Sequence, residues 1–288
     1  MTPARLLGET IASLKRAILR TPAGPAVRSV YRAIMPAPPP PSPAESFLLS
    51  HIVELERTDP WAGHHRWHVK RYRTTLDFLP VGAGRLLDLG GYNGLFAVLL
   101  EQYRSQYSLA VADHSHADER FRFDFEEDRL PFSDGDFDVV LFMEVLEHLT
   151  KDPMHAMLEI NRVLKVGGLL LLTTPNICSW QAIRRALNHE HPGLFVPYIR
   201  SRTTDRHNRE YTAHELRQLM RDAGFDIVRF ETVDVYPDAS GRRIRGYDGT
   251  DRGDTTFSLG KKISGVVNRM PDRLYWPPSG TGPGIAPP

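Results

Sequence analysis

Residues 85–94 read Arg85-Leu86-Leu87-Asp88-Leu89-Gly90-Gly91-Tyr92-Asn93-Gly94 and run straight into Leu95-Phe96-Ala97-Val98-Leu99-Leu100. No other junction restricts the fold of this chain as much. Leu86, Leu87 and Leu89 form an apolar run too short for a helix and closed by glycines, which predicts a strand buried on both faces. The glycines admit a tight turn and a close approach of backbone to a ligand, and residues 95–100 restart with helical character. A strand, a glycine turn and a helix N-terminus present free N–H groups at the carboxyl edge of a sheet, where open α/β folds bind ligands. The Gly-x-Gly-x-x-Gly pattern of a dinucleotide oxidoreductase fails, because Tyr92 occupies the third position counted from Gly90.

The alternation of strands and helices continues from this point. Residues 107–112 predict a second strand ending at Asp113. That acid lies about where nucleotide folds place a carboxylate on ribose hydroxyls, and one carboxylate can accept from both. Further strands are expected at 120–123, 137–143, 169–173, 225–230 and 255–259, seven in all with the first two. Asp152 and Pro153 open a helix expected to end near Lys165-Val166-Gly167-Gly168. Thr212-Ala213-His214-Glu215 is a capping box for another, which buries Leu216, Leu219 and Met220 and closes at Gly224. Two helices, at 47–57 and 64–79, precede the first strand; Trp61, His64, His65, Trp67 and Tyr72 there suit core packing as well as a pocket wall.

The loop at Asp88 resembles the first motif of class I S-adenosylmethionine-dependent methyltransferases, Asp-x-Gly-x-Gly-x-Gly. Asp88, Gly90 and Gly94 match, and Tyr92 replaces the middle glycine. The stretch Asp124-Phe125-Glu126-Glu127-Asp128-Arg129-Leu130-Pro131-Phe132 resembles the family's Gly-Asp-Ala-x-x-Leu-Pro-Phe segment. Phe-Asp-Val-Val, Glu-Val-Leu-Glu-His-Leu, Arg-Val-Leu-Lys-x-Gly-Gly and Thr-Thr-Pro-Asn then follow in the order of a large group of these enzymes, which includes ubiquinone-pathway O-methyltransferases and many small-molecule and sugar enzymes. The resemblance covers about residues 65–262.

This resemblance implies an α/β, Rossmann-like fold with a seven-stranded, mostly parallel sheet and helices on both faces. It also implies S-adenosylmethionine as cofactor and methyl transfer to a small-molecule, sugar or lipid acceptor, at a hydroxyl oxygen. The cofactor contacts it implies are Asp88, Gly90, Gly91, Gly94, Asp113 and Met143, with Asp124 facing the adenine amino group and Phe125 flanking the ring. A non-catalytic cofactor-binding subunit and another Rossmann-type enzyme, such as an oxidoreductase, are the rival readings.

A hydroxyl acceptor gains from a base, and His148, just past the 137–143 strand, and His207 are the candidates. Glu144-Val145-Leu146-Glu147-His148 resembles the metal-binding motif of ubiquinone-pathway and small-RNA 3′-end methyltransferases, with His207 as a further ligand. If the turn is helical, Glu144 and Glu147 share one face, and the set would suit Mg²⁺ or Mn²⁺. The same pentapeptide is widespread without a metal, so a metal-free site is the expectation and the four-ligand site its alternative.

Residues 176–210 interrupt the alternation and should cap the acceptor pocket. Arg184, Arg185, Arg200, Arg202, Arg206 and Arg209 there suit an anionic acceptor or, equally, a solvated loop. Toward the N-terminus, Leu7, Ile11, Leu14 and Ile18 fall on one helical stripe opposite Arg5, Glu9, Arg16 and Arg20. Residues 1–35 are therefore a basic amphipathic appendage, suited to an anionic membrane surface, a partner groove or its own domain. A proline-rich linker spans 36–45, the methyltransferase domain 46–270 and a poorly ordered tail 271–288.

The net charge of +1 exerts no global pull toward nucleic acid, and the lone Cys178, read as an inert thiol, excludes a disulfide framework. Without a long apolar run or a secretory leader, the expected location is cytoplasmic, with peripheral contact at the inner face of the membrane through residues 1–35.

Overall fold

A computed structural model describes residues 40–59, 62–91, 94–113, 122–193, 206–236 and 251–263. The chain divides between Pro41 and Ser42. The N-terminal appendage, Trp61, Tyr92, residues 194–205 of the insertion and the 271–288 tail lie outside the described residues.

Six strands form one sheet: β1 (Gly84–Leu89), β2 (Tyr107–Ala112), β3 (Phe137–Met143), β4 (Leu164–Pro175), β5 (Phe225–Val233) and β6 (Thr255–Lys262). Their order is β2-β1-β3-β4-β6-β5; the first four pair in parallel and β6 runs antiparallel to both β4 and β5. The expected strand at 120–123 is not found: Arg122 and Phe123 lie in irregular backbone, and residues 120 and 121 lie outside the described set. Among the described residues the sheet is therefore six-stranded, with β2 at its edge.

β1 behaves as its leucines dictate. Leu87 and Leu89 enter one core with Val140, Phe142, Leu170 and Leu172, while Leu86 enters the other with Val139, Leu141 and Leu171. Alternation along neighbouring strands thus feeds two helix-covered layers, which is why these runs read as continuously apolar. The chain leaves β1 for β2 on one side and returns to β3 on the other, so the ends of β1 and β3 flank the crevice where a doubly wound sheet binds ligands.

Among the described residues the α-helices are α1 (Pro43–Leu55), α2 (Val69–Phe78), α3 (Leu95–Tyr103), α4 (Pro153–Val163), α5 (Trp180–Leu187) and α6 (Ala213–Asp222). α1 begins inside the stretch read as linker. Ser42 caps it with a reciprocal bond to Glu45, and Pro43 sits where its missing N–H costs nothing. The single helix expected at 64–79 is a 3₁₀ segment, Ala62–His68, followed by α2. α4 stops at Val163, before the two glycines, because Leu164 already pairs with Phe137 and the glycines fall within β4. The Thr212 capping box forms as expected. No helix among the described residues is long and apolar enough to cross a membrane.

Candidate active site

A cavity of about 830 Å³ opens at the carboxyl ends of β1 and β3, within the usual range for small-molecule sites. Asp88, Gly90, Gly91 and Gly94 form its floor, and Met143 and Glu144 continue it from β3. Gly94 has φ +64° and nothing lies within 4 Å of where a Cβ would stand, so its backbone faces open space at the start of α3. Gly90, at φ +85°, would drive a Cβ to 2.4 Å from Val145 Cγ2, so only glycine fits that turn. Asp88 is buried, and that burial, reinforced by Asp113 and opposed by Arg71, pushes its carboxyl up to about 7.

The other expected cofactor contacts lie elsewhere. Asp113 is buried at the end of β2, near enough for its charge to act on Asp88, but is not part of the cavity wall. Asp124 is exposed and accepts from the Glu126 N–H at 2.8 Å. Phe125 packs edge-on to Phe142 at 6.1 Å, against the core that holds Leu87 and Leu89. The strand ends bring Asp88, the glycines and Met143 together; Asp113, Asp124 and Phe125 are not brought to the same wall.

The opposite wall is built by the insertion and by the turn after β3. Glu144 leaves β3 with φ +54°, and a 3₁₀ turn at Leu146–His148 follows. This geometry separates the two glutamates. Glu144 accepts from Thr173 Oγ1 at 2.8 Å and faces Arg71 at 3.3 Å, whereas Glu147 accepts from Thr174 Oγ1 at 2.9 Å. The four-ligand alternative is therefore not assembled among the described residues. Glu147, His148 and His207 do meet, with ligand atoms within 4.8 Å of one another. The His148 and His207 rings lie 5.0 Å apart and nearly perpendicular.

The last residues of the insertion, 206–210, are bonded directly onto this turn. Asn208 N–H donates to the Glu147 carbonyl at 2.7 Å and its side-chain amide to the His148 carbonyl at 2.7 Å. His148 Nδ1 lies 3.0 Å from the Arg206 carbonyl, and His207 Nδ1 lies 2.9 Å from Glu210 Oε1. A carbonyl or carboxylate oxygen can only accept, so Nδ1 donates in both rings and, in the neutral form, Nε2 holds the lone pair. Glu147 is fully buried, and burial raises its carboxyl pKa against the pull of His148 and His207. Its Oε1 has no hydrogen-bond partner among the described residues.

The helices before β1 supply the third side. His64, Trp67, His68 and Tyr72 line the cavity; His65 does not. Burial, with Arg71, His64 and His65 nearby, lowers His68 to about 3, so it is neutral at ordinary pH and bonds Tyr236 at 3.3 Å. Arg71 is the residue sequence reasoning missed. It is buried in the wall, pairs with Glu144 and leaves Nε without a partner among the described residues. Its position four residues before Thr75 and seven before Phe78, all on the buried face of α2, was the available signal. Tyr236 and Asp254 also reach the wall, and burial pushes Asp254 up to about 7 despite two backbone N–H bonds.

A methyltransferase-domain family model matches residues 63–229, more than half of the chain. The chain belongs to the methyltransferase-domain family. The cofactor of such a domain is S-adenosylmethionine, and the matched residues contain the glycine floor, Arg71, Glu147, His148 and His207. A Mycolicibacterium smegmatis protein named as a probable S-adenosylmethionine-dependent methyltransferase is 34% identical over 107 residues, which cover 37% of this chain and 35% of the relative. A Mycobacterium tuberculosis protein of the same description is 36% identical over 96 residues, 33% of this chain and 29% of the relative. The methyltransferase-domain chain thus spans about a third of the length of the curated relatives it matches. Among solved structures, a SAM-dependent methyltransferase from Archaeoglobus fulgidus is similar with TM-score 0.49 and 16% identity, over 70% of this chain and 99% of that one. Likeness at that level speaks to neither substrate nor mechanism.

Proposed function

We propose that this chain transfers a methyl group from S-adenosylmethionine to a hydroxyl oxygen of a small-molecule acceptor. The observation that carries the reading is the single cavity shared by the glycine floor at β1 and by the His148–His207 wall opposite it. The floor fits the cofactor because the backbone at Gly94 is open where a Cβ would otherwise stand, and a buried acid and a buried guanidinium, Asp88 and Arg71, flank it. Bound there, S-adenosylmethionine supplies an electrophilic methyl on a sulfonium.

The residues of the chain do the rest. Arg71, fixed by Glu144, presents a cation suited to a cofactor carboxylate. The hydrogen bonds of Asn208 hold the acceptor wall against the turn after β3, which favours in-line placement of the nucleophile. His148 Nε2 takes the acceptor proton as the oxygen–methyl bond forms and the methyl–sulfur bond breaks. His207, oriented by Glu210, stands beside it to share the proton. A purified chain incubated with methyl-labelled cofactor and a small-molecule extract should yield a labelled acid- and base-stable ether. Label in an N-methyl product would overturn the oxygen assignment, and absence of label in any fraction would overturn methyl transfer.

A second reading is favoured by one observation: Glu147, His148 and His207 offer donors within 4.8 Å of one another while Glu147 Oε1 lacks a hydrogen-bond partner among the described residues. Two imidazoles with Nδ1 tied to oxygen acceptors and one carboxylate make a fitting donor set for a divalent ion. The ion would polarise an acceptor hydroxyl. Chelator-treated protein with full activity and no metal by elemental analysis rejects this reading; loss of activity restored by Mg²⁺ or Mn²⁺ favours it over the base.

A further inference from the structure

Six arginines mark the insertion and its flank, and the structure sorts them. Arg184 is exposed to solvent. Arg206 donates to Asn208 Oδ1, and Arg209 pairs with Glu215 and lies over the Tyr211 ring. Arg200 and Arg202 lie outside the described residues. Arg185 alone of the described four lines the cavity.

α5 carries it there. Ser179 caps the helix by accepting from the Ala182 N–H at 3.1 Å, which sets the first turn against the cavity. Gln181 and Arg185 are four residues apart and so share a face, and both line the cavity. Neither has an anion bonded to it among the described residues. The Arg185 guanidinium donates from Nη1 to the Pro192 carbonyl at 3.1 Å and has no carboxylate partner among the described residues. Gln181 Nε2 is buried with no hydrogen-bond partner among them. Glu210, on the same cavity, is occupied with His207. A buried amide donor left unmade is costly, and a half-buried guanidinium facing only a carbonyl retains most of its donors.

We propose that Gln181 and Arg185 bind an anionic group, carboxylate or phosphate, on the methyl acceptor. The inference rests on the methyl-transfer reading and names the acceptor class for that same cavity. The anchored group is distinct from the methylated oxygen: the arginine holds one end of the acceptor while the His148 wall receives the hydroxyl. A planar guanidinium beside an amide donor suits the two or three oxygens of such a group.

The test uses the full chain with methyl-labelled cofactor and a small-molecule extract of the cells that make it. The labelled product should be retained on an anion exchanger at pH 8. Phosphatase treatment that releases it identifies a phosphate monoester; unchanged retention of a product that contains phosphorus identifies a phosphate diester, and of one without phosphorus a carboxylate. With the acceptor purified by this route, Arg185→Gln should raise its KM about tenfold or more and Gln181→Leu less, with turnover at saturation and S-adenosylhomocysteine binding unchanged. Arg185→Lys should restore part of the loss. A labelled product that passes the exchanger uncharged, or a KM that Arg185→Gln does not move, overturns the proposal while leaving methyl transfer standing. No labelled product at all instead overturns the methyl-transfer reading, and this proposal falls with it.

Discussion

The floor and the far wall of the cavity are built by different means. Asp88, Gly90 and Met143 stand at the ends of β1 and β3, held by register pairing such as Leu87 with Val140 and by leucines with no measurable exposure. Glu147, His148 and His207 instead meet through bonds between segments about sixty residues apart, with Asn208 as the joint. The floor inherits the rigidity of the sheet core. The wall depends on a handful of polar contacts, so substitutions there should disturb the reaction without disturbing the fold.

Four substitutions break or sharpen that contrast. The largest effect is expected at the wall: His148→Ala should lower methyl transfer by about 10²–10⁴-fold while calorimetry shows unchanged cofactor affinity. Equal loss of both would move His148 to the floor. Leu87→Ala, beneath the floor, should cost about 2–5 kcal/mol of unfolding free energy in denaturant titration, with activity at low denaturant falling only as far as the folded fraction does. A loss under about 1 kcal/mol would mean that β1 is not the rigid element supposed here.

Asp88 gives the contrast a pH signature. Its carboxyl is raised to about 7 by burial, so between the ordinary carboxylate range and about 7 the folded protein binds more protons than the unfolded chain. Stability of the cofactor-free protein from this group is therefore full at low pH and falls as pH rises through that window. Asp88→Asn should remove the fall, so the variant gains on the parent from about pH 4 to pH 7 and keeps a constant lead above it. Parallel stability profiles would show that Asp88 titrates in the ordinary carboxylate range in the folded protein as well. The smallest effect concerns Asp113→Ala, which should weaken cofactor binding by about 1–3 kcal/mol if its carboxylate reaches the ribose. Unchanged affinity would leave Asp113 as a buried neighbour of Asp88 only.

The two regions were also unequally legible in the sequence. Leu86, Leu87 and Leu89 announced a strand because period-two burial on both faces leaves a continuous apolar run, and Thr212 with Glu215 announced a helix start through local bonding. Both signals are contained within a few residues. Arg71 was harder to read: its spacing to Thr75 and Phe78 marks the buried face of α2, but its partner Glu144 is distant in sequence and meets it only through the tertiary fold. The motif at 144–148 suggested a helical turn with two glutamates together; the positive φ at Glu144 parts them, and no pattern of residue types encodes that angle. At 122–123, the described half of the strand expected over 120–123, the backbone is irregular; four alternating residues cannot show whether a neighbour accepts their hydrogen bonds.

Titration calorimetry of S-adenosylmethionine into the purified full chain tests the central claim most directly. The floor at β1 predicts one site of micromolar affinity and no binding of NAD⁺, because Tyr92 breaks the dinucleotide pattern. Absence of S-adenosylmethionine binding at millimolar concentration, or binding of NAD⁺ in its place, would contradict the account.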